Sequence, residues 1–71
     1  MGKQTIMTVY LNYRSTQGVE TTVDEFTRGD NAPAGIREFN AYVREMMADY
    51  HVSGIPVYRS SRPCKEWPNG A

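Results

Sequence analysis

Asp49, His51, Ser53 and Cys64 are the residues of this chain from which a nucleophile and a base could be drawn. A triad needs its nucleophile within hydrogen-bond reach of a base that a third group orients, usually in a pocket that excludes water. A small domain whose single helix is spent covering a sheet has little material left for such a pocket. No enzyme is expected. His51 suits instead the last turn of a helix, where partial positive charge complements the helix dipole. One cysteine and one histidine cannot close a tetrahedral zinc site, so neither metal nor cofactor is expected.

The residues better suited to recognition lie in the closing stretch IPVYRSSRPCKEWPNGA, where Arg59, Arg62 and Lys65 surround the one cysteine and the one tryptophan. Arginine at a strand edge offers a planar fork for carboxylates. The unpaired backbone of such an edge, here with Val57 and Tyr58, can dock a partner or a second copy of the chain.

The elements that must hold these residues are legible in the patterning. TIMTVYLNY is rich in β-branched and aromatic residues, with Met7, Val9, Leu11 and Tyr13 on one face and Ile6, Thr8, Tyr10 and Asn12 on the other. RSTQG supplies a turn in which Gly18 can take positive φ, and VETTVDEF alternates Val19, Thr21 and Val23 against Glu20, Thr22 and Asp24. A β-hairpin is expected. Asp30 or Asn31 can cap a helix whose first turn tolerates Pro33, and Ile36, Phe39, Val43, Met46 or Met47, and Tyr50 then recur at helical spacing. Gly54 and Pro56 end it, and Pro56 confines the next strand to an edge or to its own start. The expected fold is α+β, a single small domain over residues 1–71 in β-β-α-β order. One helix packs on a three-stranded, mainly antiparallel sheet, and residues 63–71 form a loose C-terminal tail. The helix should bury Ile36, Phe39, Val43 and Met46 against Met7, Val9, Leu11, Val19 and Val23. The methionines read as core fillers.

Eight basic and eight acidic side chains cancel, so a general DNA-coating protein is disfavoured. The charges are uneven: residues 20–49 hold seven acids against three arginines, and both flanking stretches are net positive. A lone cysteine allows no intrachain disulfide, and the opening residues lack the basic and apolar regions of a secretory signal. A cytoplasmic protein without a membrane span is expected.

Two strands, an acid-flanked helix and a short strand running into Arg62-Pro63-Cys64 resemble the small podovirus-encoded inhibitors of bacterial RNA polymerase. The resemblance covers the element order over most of the chain, and its local motif is residues 57–64. It implies that arginines at the end of the last strand grip acidic residues on the polymerase's largest subunit near the downstream DNA channel. An acidic strip would work against the DNA path and the sigma factor. Arg62 and, second, Arg59 are the implied grip, beside Tyr58; Glu20, Asp24, Glu25, Glu38, Glu45 and Asp49 are candidates for the acidic side. The chain departs from the family where its arginines stand three apart instead of two. In a regular strand they point to opposite faces, unless Ser60 and Ser61 form a bulge.

The expectation is therefore a noncatalytic binding protein that modulates a larger macromolecular machine, most sharply a phage inhibitor of host RNA polymerase. It would act as a monomer or as an edge-strand homodimer. The rivals are a single-stranded nucleic-acid module using Tyr10 or Tyr13 with Arg14, Arg59 and Arg62, and a small structural subunit.

Overall fold

The computed structural model describes residues 7–64. Lys3, the start of the expected first strand at Thr5 and Ile6, and the expected tail from Lys65 onward, with Trp67, lie outside them. The element order is β1 (Thr8–Arg14), β2 (Glu20–Thr27), α1 (Ile36–Val52) and β3 (Tyr58–Ser60), as the patterning predicts. The three strands form one antiparallel sheet in the order β2-β1-β3. Pro56 lies just before β3, and β3 is an edge.

The hairpin closes as its turn residues require. Ser15 N donates to Val19 O at 2.8 Å, Gly18 N donates to Ser15 O at 3.0 Å, and Gly18 adopts a φ of 86°. The Ser15 hydroxyl accepts from Gln17 N and Val19 N, both at 3.2 Å. Such local side-chain bonds are the reason serine favours turns.

The phase of β2 follows expectation over residues 20–22 and reverses from Asp24 onward. Val9 opposes Phe26 and Leu11 opposes Asp24, but Asn12 opposes Thr22, so β2 carries one extra residue, Val23, at this point. A bulge of this kind switches which residues face the core. On one side of it Phe26 is buried under the helix, and on the other Thr22 is buried against the helix-free face with Asn12. Val19, expected in the core, is 50% exposed, and Val23 is only partly buried.

Helix α1 begins later than the capping types suggest. Gly35 is the N-cap, with φ −72° and ψ 141°, and makes no side-chain cap. Asn31 is occupied elsewhere: its Oδ1 accepts from Thr27 N at 2.6 Å and its Nδ2 donates to Glu25 O at 3.0 Å, which closes the end of β2. Ile36 is thereby left at the first helical position and is 52% exposed. Phe39 and Val43 are fully buried, joined by partly buried Tyr42, Met46, Met47 and Tyr50. Val9, Leu11, Phe26 and Val57 complete the core. Phe26 and Tyr42 meet edge to face with centroids 5.3 Å apart, a favoured aromatic geometry.

The helix ends in a Schellman motif. Ile55 N donates to Tyr50 O and Gly54 N to His51 O, at 2.8 and 3.0 Å, with Gly54 at a φ of 87°. His51 lies in this last turn. Tyr50 OH donates to Asp24 Oδ2 at 2.9 Å, tying the helix to β2. Lost solvation, then the hydrogen bond and the charge of Asp24, push the Tyr50 phenol up to about 12.

Phe39→Ala is expected to lower stability by about 3–5 kcal/mol in urea unfolding, and Val19→Ala by less than about 0.5 kcal/mol. Equal losses would show that Val19 is packed against the core instead of exposed at the turn. Because folding raises the Tyr50 pKa, its contribution is complete below the ordinary tyrosine value near 10 and is lost as pH rises through about 12. Tyr50→Phe should therefore be less stable than the parent at neutral pH but lose less between pH 10 and pH 12 in melts across that range. Parallel declines would refute the assignment.

Candidate functional site

The residues predicted for recognition fall on three parts of the surface. In β3, Tyr58 opposes Asn12, Arg59 opposes Leu11 and Ser60 opposes Tyr10. Side chains alternate across a strand. Arg59 thus lies on the helix side of the sheet, while Tyr58 and Ser60 lie on the helix-free side. Both Tyr58 and Arg59 are exposed. The Arg59 guanidinium reaches along the edge to Met7 Sδ, 4.0 Å away.

The chain after β3 turns to the helix-free face. Asn12 Nδ2 donates to Arg62 O at 3.1 Å, and Cys64 N donates to Thr22 Oγ1 at 2.7 Å. Thr22 in turn donates to Asn12 Oδ1 at 2.7 Å. These bonds clasp residues 62–64 across β1 and β2, with Asn12 and Thr22 both buried. Arg62 N also donates to the Ser60 hydroxyl at 3.1 Å. Arg62 therefore holds its place through its backbone, and the residue as a whole is exposed. Arg59 and Arg62 are not two rungs of one strand face: one belongs to β3 on the helix side, the other to the clasp.

Tyr58 packs beside this clasp. Its phenol pKa is raised by lost solvation first, then by the negative charge of Glu20 and by Cys64, while a hydrogen bond with Asn12 opposes the rise. The group stays neutral at physiological pH and can act as a donor.

The acidic candidates divide in two. Glu38, Glu45 and Asp49 share one flank of α1 at i, i+7 and i+11 spacing, all exposed. This flank lies toward β2, because Tyr42 beside it meets Phe26. Asp24 belongs to the same side through Tyr50. Glu38 also curls back over the helix start: a side chain at Gly35 would collide with its Oε1. An acid at this third helical position complements the N-terminal dipole. Glu20 and Glu25 oppose Arg14 and Tyr10 instead, on the helix-free face. The tyrosines separate similarly, with Tyr13 against the core and Tyr10 on the far face, both half-buried.

His51 Nε2 lies 3.0 Å from Val57 O and is thereby engaged with the segment leading into β3. Among the described residues no cluster of three or more histidine, cysteine or acidic side chains is arranged to hold a metal ion. No helix among them is long and apolar enough to cross a membrane. Asn12 and Thr22 were missed as organisers of the site. The available signal was an amide within the otherwise apolar run of β1. Compared with protein-family models, curated proteins and solved structures, the chain has no match.

Asn12→Ala removes the donor to Arg62 O and the acceptor of Thr22 together. A loss of about 1–3 kcal/mol is expected, with faster amide exchange at Cys64. Unchanged exchange at Cys64 would show that the clasp does not depend on Asn12.

Proposed function

We propose that this chain is a noncatalytic binding protein that acts on a larger macromolecular machine, and most specifically that it is phage-encoded and inhibits a host RNA polymerase. The observation that supports this reading best is the exposed edge strand β3, carrying Tyr58 and Arg59, whose exit is anchored by the bond from Asn12 to Arg62 O. An anchored edge loses less conformational freedom on docking, so guanidinium contacts with carboxylates retain more of their binding energy. The clasp uses the Arg62 backbone and the residue is exposed, as contact of its guanidinium with a partner's acidic surface requires.

The acidic flank of α1, with Glu38, Glu45 and Asp49, lies away from β3, toward β2. A protein docked through β3 would present this flank to whatever passes beside it. Carboxylates so placed repel a nucleic-acid path, which is the action the resemblance implies. The working form is a monomer, with the edge strand given to the partner instead of to a second copy. Its place of action is the cytoplasm of the host.

Purified bacterial RNA polymerase core enzyme provides the test. Arg62→Ala and Arg59→Ala should each weaken binding by about tenfold or more. Neither should move the melting midpoint, since exposed arginines contribute under about 1 kcal/mol to folding. Absence of binding by the parent protein would overturn the polymerase reading. Destabilisation by Arg62→Ala with binding intact would make the closing segment a structural clasp alone.

A further inference from the structure

Helix α1 carries a second charged flank that neither the closing motif nor the acidic strip includes. Arg37, Arg44 and His51 recur at every seventh position, so each lies within about 20° of the one before. All three are exposed. His51 fixes where this flank points, because its Nε2 meets Val57 O at the entrance to β3. The opposite flank, with Glu38, Glu45 and Asp49, lies toward β2 beside Tyr42 and Phe26. The helix therefore sorts its charges laterally, arginines toward β3 and acids toward β2.

Arg59 lies on the same side. It opposes Leu11 on the helix side of the sheet and reaches toward Met7. Tyr42 meets Phe26, the partner of Val9, and Tyr50 meets Asp24, the partner of Leu11, so the first half of α1 lies over the Met7 end of β1. The Arg59 side chain thus extends toward the part of the helix that carries Arg37 and Arg44. We infer that Arg37, Arg44 and Arg59 line one lane between α1 and β3, and that this lane takes an acidic segment of a protein partner. This inference rests on the proposed role as a binding protein and makes it more specific: Arg59 works with the helix arginines, and Arg62 contacts the partner separately from the other face.

The chemistry favours carboxylates on a protein over a nucleic acid. The lane is built from arginines, whose planar forks match carboxylates two bonds at a time. The acidic flank lies only about one helix width away, 10–12 Å. That is close to the screening length of roughly 8–10 Å at physiological salt, so a long polyanion crossing the helix would meet repulsion, whereas a short acidic segment would not. The chain as a whole has no net charge to hold a phosphate backbone.

The test uses the full chain with three probes: a short poly-L-glutamate peptide, a single-stranded DNA oligonucleotide and purified RNA polymerase core enzyme. The variants are Arg44→Glu, Arg59→Glu and, as a control on the far face, Arg14→Glu. Thermal melts confirm that each is folded, and Arg44→Gln replaces Arg44→Glu if it is not. The inference expects salt-sensitive binding of poly-L-glutamate in preference to the oligonucleotide, weakened at least about fivefold by Arg44→Glu and by Arg59→Glu but not by Arg14→Glu. It is overturned if the peptide does not bind, if the oligonucleotide binds more tightly, or if Arg44→Glu binds the peptide like the parent. Failure of the polymerase arm alone removes the polymerase reading and leaves the lane standing. Polymerase binding that tolerates Arg44→Glu removes the lane's role in that complex.

Discussion

The amide of Asn12 is the interaction on which the arrangement of this surface depends. It is buried on the helix-free side of the central strand, where an unmatched amide would carry a desolvation cost of a few kcal/mol. It is matched on both ends, accepting from the Thr22 hydroxyl and donating to the carbonyl of Arg62. Thr22 then accepts from Cys64 N, so one side chain of β1 organises a residue of β2 and two residues beyond β3. Buried networks of this kind, when every member is satisfied, specify a unique geometry. What is specified here is the direction in which the chain leaves the sheet.

The packing and the charges of this small domain lie on different surfaces. The helix side of the sheet holds the apolar core, from Val9 and Leu11 through Phe39 and Val43 to Val57. The rim and flanks carry the charges, which contribute little to folding while solvated. Arg62 combines the two, with its backbone bonded to Asn12 and Ser60 while the residue itself is exposed.

Element order, hairpin, helix end and the edge position of β3 were legible because each has a local physical cause: alternation, a positive-φ glycine, or a proline next to a strand. Phe39 and Val43 were legible for the same reason, as the centre of a helical stripe. What escaped depended on partners distant in sequence. Asn31 is an equally good cap or strand-end lock, and only the position of Thr27 and Glu25 decides for the lock. The arginines were found by type, but their faces could not be read, because β3 ends at Ser60 and the clasp takes over at Arg62. The flank on which Arg37 and Arg44 lie is oriented only by the contact of His51 with Val57, six residues on and beyond the end of the helix.

The bulge at Val23 connects these observations. In an unbroken ladder Leu11 against Asp24 would be followed by Asn12 against Val23, and a valine would stand where Thr22 stands. Asn12 Oδ1 would then lack its donor, leaving a buried acceptor unpaired at a cost of about 1–3 kcal/mol, and Cys64 N would lose its acceptor. The chain after Ser60 would have no reason to lie across the helix-free face. One inserted residue in β2 therefore allows the clasp to form. The clasp carries Arg62 away from Arg59, and Arg59 is left on the helix side of the sheet, reaching along the edge to Met7.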